Sequence, residues 1–174
     1  MTAISWLAHR GWHVFGVDVS EQALQLANRR IRDAGLEAYC TLIHADLDDW
    51  RPEPASMHLI TQFYFLDRTL LPAIGEATQP GGLLILETMN QHRLATRPQT
   101  NPAHLLDDGE LQTLAVSWQW PIIEYTTSGP GQRYPTDTII LRRPSSSEKL
   151  SPKSDRAMSV SSRMQNVAKP GDLP

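Results

Sequence analysis

Asp18 lies at the end of a short apolar run, Trp12–Val19, which leads into a stretch with helical spacing. An acid at the end of a strand can accept hydrogen bonds from both ribose hydroxyls of a nucleoside cofactor. Asp46 follows the next apolar run, 28 residues after Asp18, and can accept a hydrogen bond from the amine of adenine. Ligands of open α/β sheets bind beyond the carboxyl ends of the strands, so both acids can face one crevice. The alternative is that each acid only caps a helix or a turn.

Four polar residues near the same predicted edge are candidate substrate ligands. Arg68 can hold an anionic substrate, or it can form a surface ion pair with Asp67 or Glu76. His104 lies in a polar loop of unusual length, 90–106, where it can act as a base, orient an acceptor, or have a structural or solvent-facing role. The candidate substrate ligands are Gln62, Tyr64, Arg68 and His104.

Two further features have open interpretations. The aromatic run Phe63–Phe65 can shape an acceptor pocket or belong to the core. Glu87 lies within an apolar strand, where a buried acid requires a partner, and the sequence does not indicate which residue that partner is.

The elements that must position these residues alternate along the chain. Helical spacing predicts helices over residues 3–10, 21–35 (with Ser20 as N-cap), 69–77 and, after Asp107 or Asp108, through Ala115. Apolar runs predict strands over residues 13–19, 38–44, 57–63, 83–89, 122–125 and 136–141, with a tight turn at Pro80–Gly82. This order predicts an α/β, Rossmann-like, mainly parallel sheet with a C-terminal antiparallel hairpin.

The composition argues against several classes of protein and of binding site. The 174 residues have a net charge of −3, which gives no electrostatic bias toward nucleic acid. No run approaches the roughly 20 apolar residues of a membrane helix, and no secretion signal is evident, so we expect a cytoplasmic protein without membrane contacts. Cys40 is the single cysteine, which excludes an internal disulfide and a multi-cysteine metal site.

The composition of the chain changes at residue 144, after which Ser, Pro, Lys and Arg dominate. This change predicts an α/β domain over 1–143 followed by a disordered tail over 144–174.

Several segments, taken in order, resemble a known family. Those that resemble successive motifs of class I S-adenosylmethionine-dependent methyltransferases are Gly16–Ser20, Ala45–Leu47 and Gln79–Leu84. Those that resemble small bacterial members of the tellurite-resistance type are Phe65–Arg68, Glu87–Met89, Asn101–Leu106 and Gly109–Leu111. The resemblance covers roughly residues 3–142.

The resemblance implies a cofactor, a kind of substrate and roles for individual residues. S-adenosylmethionine is the implied cofactor, and a small molecule is the implied methyl acceptor. Asp18 is implied to hold the ribose and Asp46 the adenine, while Val19 and Leu47 pack on the base.

The sequence departs from the family at its start. Members open with a strand that carries an acid and a Gly-x-Gly turn, whereas this sequence enters at the helix after that turn. The resemblance places the absent strand between the strand of Val14 and the strand of Ile60. We therefore expect a domain that is incomplete at the N-terminus, lacks its first core strand, and binds the cofactor weakly or not at all.

Two other functions fit the same residues. An NAD-dependent oxidoreductase fragment would use a ribose-binding acid in the same way, although the Pro80–Gly82 turn and the terminal hairpin favour the methyltransferase. A non-catalytic Rossmann-like remnant could act as an interaction module. The nucleotide sequence upstream of the Met1 codon would separate these functions. An in-frame strand that ends in Asp-x-Gly-x-Gly would indicate the methyltransferase, Gly-x-Gly-x-x-Gly would indicate the dehydrogenase, and stop codons would indicate the remnant.

Overall fold

The computed structural model describes residues 3–145, in which helices and strands alternate largely as the sequence predicts. The helices are α1 Ala3–Ala8, α2 Glu21–Asp33, α3 Leu71–Ala77 and α4 Glu110–Trp118. The strands are β1 Val14–Asp18, β2 Cys40–His44, β3 Met57–Phe63, β4 Thr78–Met89, β5 Ile122–Thr127 and β6 Thr136–Arg142. None of the described helices is both long and apolar enough to span a bilayer. The predicted disordered tail lies, from residue 146 onward, outside the described residues.

The strands pair in a parallel part and an antiparallel part. β1 and β2 are parallel, with Val14 opposite Cys40 and Asp18 opposite His44. β3 is parallel to β4, and the larger sheet continues antiparallel in the order β3–β4–β6–β5. Parallel pairs followed by an antiparallel β5–β6 hairpin confirm the predicted α/β fold class.

β1 and β3 are edge strands of two separate sheets in the described part of the chain. A cavity of about 220 Å³ lies between them. Its lining is largely apolar and comes from both strands and from the segment after β2, including Val14, Val17, Leu47, Leu59 and Ile60. The interruption thus lies between the strand of Val14 and the strand of Ile60, where the resemblance places a further strand.

Two apolar cores hold these sheets to their helices. Alternate residues of β4 and β6 face inward, and burial of each such leucine or isoleucine contributes about 1.5–3 kcal/mol. The larger core includes Leu84, Leu86, Leu106, Leu111, Ile139 and Leu141. The smaller core, between α1, α2 and the β1–β2 pair, contains Ala8, Ile31 and Leu36.

β4 begins five residues earlier than predicted. Thr78 already pairs with Met57 of β3, so the predicted turn at Pro80–Gly82 is an irregularity inside the strand. Gly82 is needed there, because an added Cβ would lie 2.8 Å from the Gln79 carbonyl oxygen. The predicted start of the strand at residue 83 is therefore wrong, while the predicted turn is present as a register shift within β4, with Gly81 at a φ of 82°.

The start of α4 also differs from the prediction. Its N-cap is Gly109, which has a φ of 74°, rather than Asp107 or Asp108. Glu110 accepts a hydrogen bond from the Asp107 backbone N–H at 2.9 Å, so the side chain expected in the capping box closes the turn from within the helix.

Candidate functional site at the carboxyl ends of the strands

Asp18 and Asp46 lie at the same edge of the β1–β2 pair. Asp18 is opposite His44, and the Ala45 backbone N–H donates to the Asp18 carbonyl oxygen at 3.2 Å. Asp46 is therefore the first residue beyond a hydrogen bond that joins the two strand ends. The structure brings together the two acids that the sequence singled out.

The Asp18 carboxylate is oriented by the start of α2. Its Oδ1 accepts the Ser20 backbone N–H at 2.8 Å, and the Ser20 side chain in turn caps α2 by accepting from Ala23 N at 3.2 Å. The His44 ring bonds to the Val19 carbonyl oxygen at 2.9 Å, which fixes the backbone after the acid. Among the described residues, no group bonds to Asp18 Oδ2, so this oxygen is free to accept from a ligand.

Asp46 is exposed and begins a tight turn. Its Oδ1 accepts from the Asp48 backbone N–H at 3.0 Å, and its carbonyl oxygen accepts from Trp50 N at 2.8 Å. The apolar residues after the two acids differ in environment. Val19 is 61% exposed, whereas Leu47 packs on the larger core and lines the cavity.

Gln62 lies near the end of β3, on the other side of the cavity from β1, and Tyr64 follows the last residue of that strand. Gln62 Nε2 donates to the Phe65 carbonyl oxygen at 2.8 Å, whereas its buried Oε1 has no partner among the described residues. Gln62 also lines the cavity. A buried amide oxygen without a donor carries a desolvation cost of about 1–3 kcal/mol, which a ligand donor would offset.

Tyr64 has a φ of 55°, the left-handed region that residues with a Cβ rarely adopt. Its backbone N–H donates to the Glu87 carbonyl oxygen at 2.7 Å. Hydrogen bonding to the Glu87 carboxylate, together with the charge of that carboxylate, raises the pKa of the Tyr64 phenol. Such backbone strain costs on the order of 1–3 kcal/mol and is concentrated at functional sites.

Arg68 is held by groups of the chain itself. Its guanidinium forms a bidentate pair with Glu110, at 2.7 and 2.8 Å, and this hydrogen bond raises the pKa of Arg68. It also donates to the carbonyl oxygens of Ala103 and Leu105, at 2.8 and 3.0 Å. The ion pair of Arg68 thus forms with Glu110 and not with Asp67 or Glu76, the partners considered from the sequence, and the two carbonyl bonds hold the residues on either side of the exposed His104.

Sequence reasoning missed a buried acid at the other side of β4. Asp137 is 3% exposed and accepts from Asn90 Nδ2 at 2.7 Å, Thr127 Oγ1 at 2.7 Å and the Tyr125 hydroxyl at 3.0 Å. These bonds join β5, β6 and the end of β4. The available signal was an acid inside the apolar run Thr136–Leu141, the same signal that singled out Glu87.

The aromatic run at the end of β3 is exposed. Phe63, Tyr64 and Phe65 are each more than two-fifths accessible, which excludes the interpretation that they form part of the core. Among the described residues, no group of three His, Cys, Asp or Glu side chains has an arrangement suited to a metal ion.

Comparison with known proteins gives a family match over the first part of the chain. Residues 2–82 match the family model described as a methyltransferase domain. The ubiquinone biosynthesis O-methyltransferase of Idiomarina loihiensis is 29% identical over 93 residues, which cover 49% of this chain and 37% of that relative. The chain therefore spans little more than a third of that relative's length.

Solved structures share the fold. An S-adenosylmethionine-dependent methyltransferase from Methanosarcina mazei superposes with a TM-score of 0.63 at 17% identity, covering 81% of this chain and 86% of that one. An S-adenosylmethionine-dependent methyltransferase from Mesorhizobium loti gives a TM-score of 0.57 at 17% identity, covering 75% and 80%. The described part of this chain therefore has the same fold as these two proteins.

Proposed function

We propose that this chain is a class I S-adenosylmethionine-dependent methyltransferase, which transfers a methyl group from S-adenosylmethionine to a small-molecule acceptor. The match of residues 2–82 to a methyltransferase domain and the fold shared with solved methyltransferases support this proposal. The observation that carries this proposal is the position of Asp18 and Asp46 at the joined ends of β1 and β2. S-adenosylmethionine supplies a methyl group activated by its attachment to a sulfonium sulfur.

The residues at this edge fit an adenosyl group. Asp18 Oδ2 is free to accept a ribose hydroxyl, while Oδ1 stays bonded to Ser20 and keeps the carboxylate oriented. Asp46 presents an exposed carboxylate for the adenine amine. Val19 and Leu47 supply apolar surface beside the acids, on which the base can pack.

The acceptor site in this proposal lies at the end of β3. Gln62 offers its unpartnered Oε1, Tyr64 its exposed phenol, and His104 an imidazole on the neighbouring loop. Arg68 contributes by fixing that loop through Glu110. Methyl transfer to a nucleophile depends mainly on alignment and exclusion of water, both of which a fixed loop favours.

The name of the Idiomarina loihiensis relative indicates an oxygen nucleophile for that protein. We extend this to the present chain as part of the proposal. A hydroxyl acceptor needs a hydrogen-bond partner for its proton, and both Gln62 Oε1 and the Tyr64 oxygen can accept one.

Calorimetric titration with S-adenosylhomocysteine tests the proposal. Asp18→Asn keeps the oxygen bonded to Ser20 and removes the charge, and it should weaken binding about tenfold, since a hydrogen bond to a charged group contributes about 1.5–3 kcal/mol. Asp33→Asn, at the exposed end of α2, is the matched control and should leave binding unchanged. Equal affinities of the Asp18→Asn variant and the wild type would contradict the proposal.

A further inference from the structure

The cavity between β1 and β3 lies along the edges of these strands and not over a face of either sheet. Successive side chains of a strand point to opposite faces, so a cavity over one face would touch alternate residues. This cavity is lined instead by the consecutive residues Leu59–Gln62 of β3 and by the consecutive Val14 and Phe15 of β1. In the described part of the chain, no residue of β2 or β4 lines it. The cavity therefore borders the sides of β1 and β3 that face away from their partner strands.

Both of these sides carry backbone groups without a partner strand. Among the described residues, β1 pairs only with β2, and β3 pairs only with β4. Every second residue of such an edge strand directs its N–H and C=O groups away from its one neighbour. No loop or side chain of the described residues bonds to the backbone of Val14–Val17 or Leu59–Gln62. Two unpaired strand edges thus face the same cavity.

The rest of the cavity wall is largely apolar. It includes Leu7 of α1, Ile74 of α3, and Leu47 and Trp50 from the segment after β2. None of the lining residues within the described range is Asp, Glu, Lys or Arg. A strand that is enclosed on both faces is a near-continuous run of Val, Ile and Leu, and proline would remove a donor from the ladder. These walls therefore suit an extended, uncharged segment of polypeptide, whereas a small apolar molecule would leave the backbone groups of both edges unpaired.

A second copy of this chain does not offer such a segment. An inserted strand must have both of its edges free, whereas every described strand already pairs on at least one side. The residues outside the described part, 1–2 and 146–174, contain no run of five apolar residues. The occupant that fits both edges is therefore an unpaired segment of another protein.

We propose that this cavity binds an extended apolar segment of a partner protein, which pairs as a strand with β1 on one side and with β3 on the other. β1 spans 5 residues and β3 spans 7, and the segment has about the same length and lies about 4.8 Å from each strand. It joins the β1–β2 pair and the larger sheet into one continuous sheet. The inference does not rest on the proposed function, and neither Asp18 nor Asp46 lines the cavity.

Backbone methylation of a probe peptide tests the pairing with both strands. The probe is the blocked peptide Lys-Val-Ile-Val-Thr-Val-Lys, in which the lysines keep the apolar part soluble. One control peptide is N-methylated at Ile and Thr, and the other at the first two Val. Each control keeps every side chain but loses two N–H donors on one side of the extended chain.

In NMR titrations of the 174-residue chain, both methylated peptides should bind at least about tenfold more weakly than the probe, as expected for two lost hydrogen bonds. Weaker binding of only one of them would show pairing with a single strand. Equal binding of all three peptides would show apolar contact without strand pairing. Either result, or no binding of the probe, would overturn the inference.

Hydrogen exchange locates the bound peptide. Saturation with the probe should slow the exchange of alternate amides in both Val14–Asp18 and Leu59–Phe63, while the outer edge strand Ile122–Thr127 stays unchanged and serves as the internal control. Protection confined to the outer edge strands would contradict the assignment. A dimer in which the amides of β1 and β3 are protected without peptide would assign the cavity to a second copy and overturn it as well.

A lysine at the cavity tests the same edge from the protein side, because a charged lysine blocks the addition of a strand. Phe15 lines the cavity and is 46% exposed, so Phe15→Lys leaves both apolar cores intact. This variant should bind the probe at least about tenfold more weakly than the wild type does. Ile123→Lys, on the exposed outer strand β5, is the matched control and should bind it unchanged. Equal binding by Phe15→Lys and the wild type would contradict insertion beside β1, and the peptide comparisons decide the question if Phe15→Lys does not fold.

Discussion

Arg68 shows how one side chain can hold a loop beside a candidate site. Its guanidinium bonds to Glu110 at the start of α4 and to two carbonyl oxygens of the segment before that helix. The planar guanidinium supplies several donors in a fixed geometry, which a lysine cannot reproduce. The loop that carries the exposed His104 is therefore held both by the bonds of Arg68 and by the burial of Leu105 and Leu106.

Arg68→Ala should lower the free energy of unfolding by about 1 kcal/mol, a modest value because the pair is partly exposed. Urea denaturation measures the change. Arg29→Ala is the control: this exposed arginine of α2 has no side-chain partner among the described residues, and its replacement should shift stability by less than about 0.5 kcal/mol. Equal effects of the two replacements would show that the bonds of Arg68 contribute nothing measurable.

At the residue scale, the sequence predicted where side chains lie along the strands better than it predicted which residues they contact. Asp18 and Asp46 could be placed at strand ends because each follows a short apolar run, which is local information. The partner of Glu87 could not be predicted, because Thr138 is 51 residues away and becomes adjacent only through strand pairing. The left-handed backbone of Tyr64 could likewise not be predicted, because its backbone N–H bonds to the Glu87 carbonyl oxygen of β4, which is distant in sequence.

At the element scale, α4 ends on a residue in an unfavourable conformation. Gln119 has a φ of 57°, and its backbone N–H bonds back to carbonyl oxygens of the last turn. Helices often end with a left-handed residue, and glycine is preferred there because it lacks a Cβ. Gln119 therefore occupies a left-handed position at the end of α4 where glycine would be less strained.

Gln119→Gly should raise the free energy of unfolding by about 0.5–1 kcal/mol, because it relieves the left-handed strain. Thermal and urea denaturation measure the gain. Val116→Gly, at an exposed position inside the same helix, should lower stability, since glycine costs about 0.5 kcal/mol more than valine in a helix interior. A loss of stability in both variants would contradict the conformation assigned to Gln119.

Element boundaries were predictable where local signals agreed. β3 has the predicted bounds, Met57–Phe63, and Ser20 caps α2 as its residue type indicates. The start of β4 was wrong because Pro80–Gly82 carries a strong turn signal, whereas the pairing of Thr78 with Met57 depends on a distant strand.

At the scale of the whole molecule, the carboxyl edge carries two groups of residues on two sheets. The β1–β2 pair carries the residues proposed to bind the adenosyl group, and the larger sheet carries those proposed to bind the acceptor. The cavity between the sheets is bordered by Leu47 from the first group and Gln62 from the second. The proposed function places methyl transfer in the space between the two sheets.

An amide NMR titration of the 174-residue chain with S-adenosylhomocysteine tests the central claim most directly, because it also detects weak binding. Of the two outcomes expected from the sequence, weak binding or none, the proposed function requires weak binding. We expect saturable shifts of the backbone amides of Asp18, Val19, Asp46 and Leu47, which shrink in the Asp18→Asn variant and persist in Asp33→Asn. Saturable shifts confined to other parts of the chain, or no shifts at any ligand concentration, would contradict the proposed function.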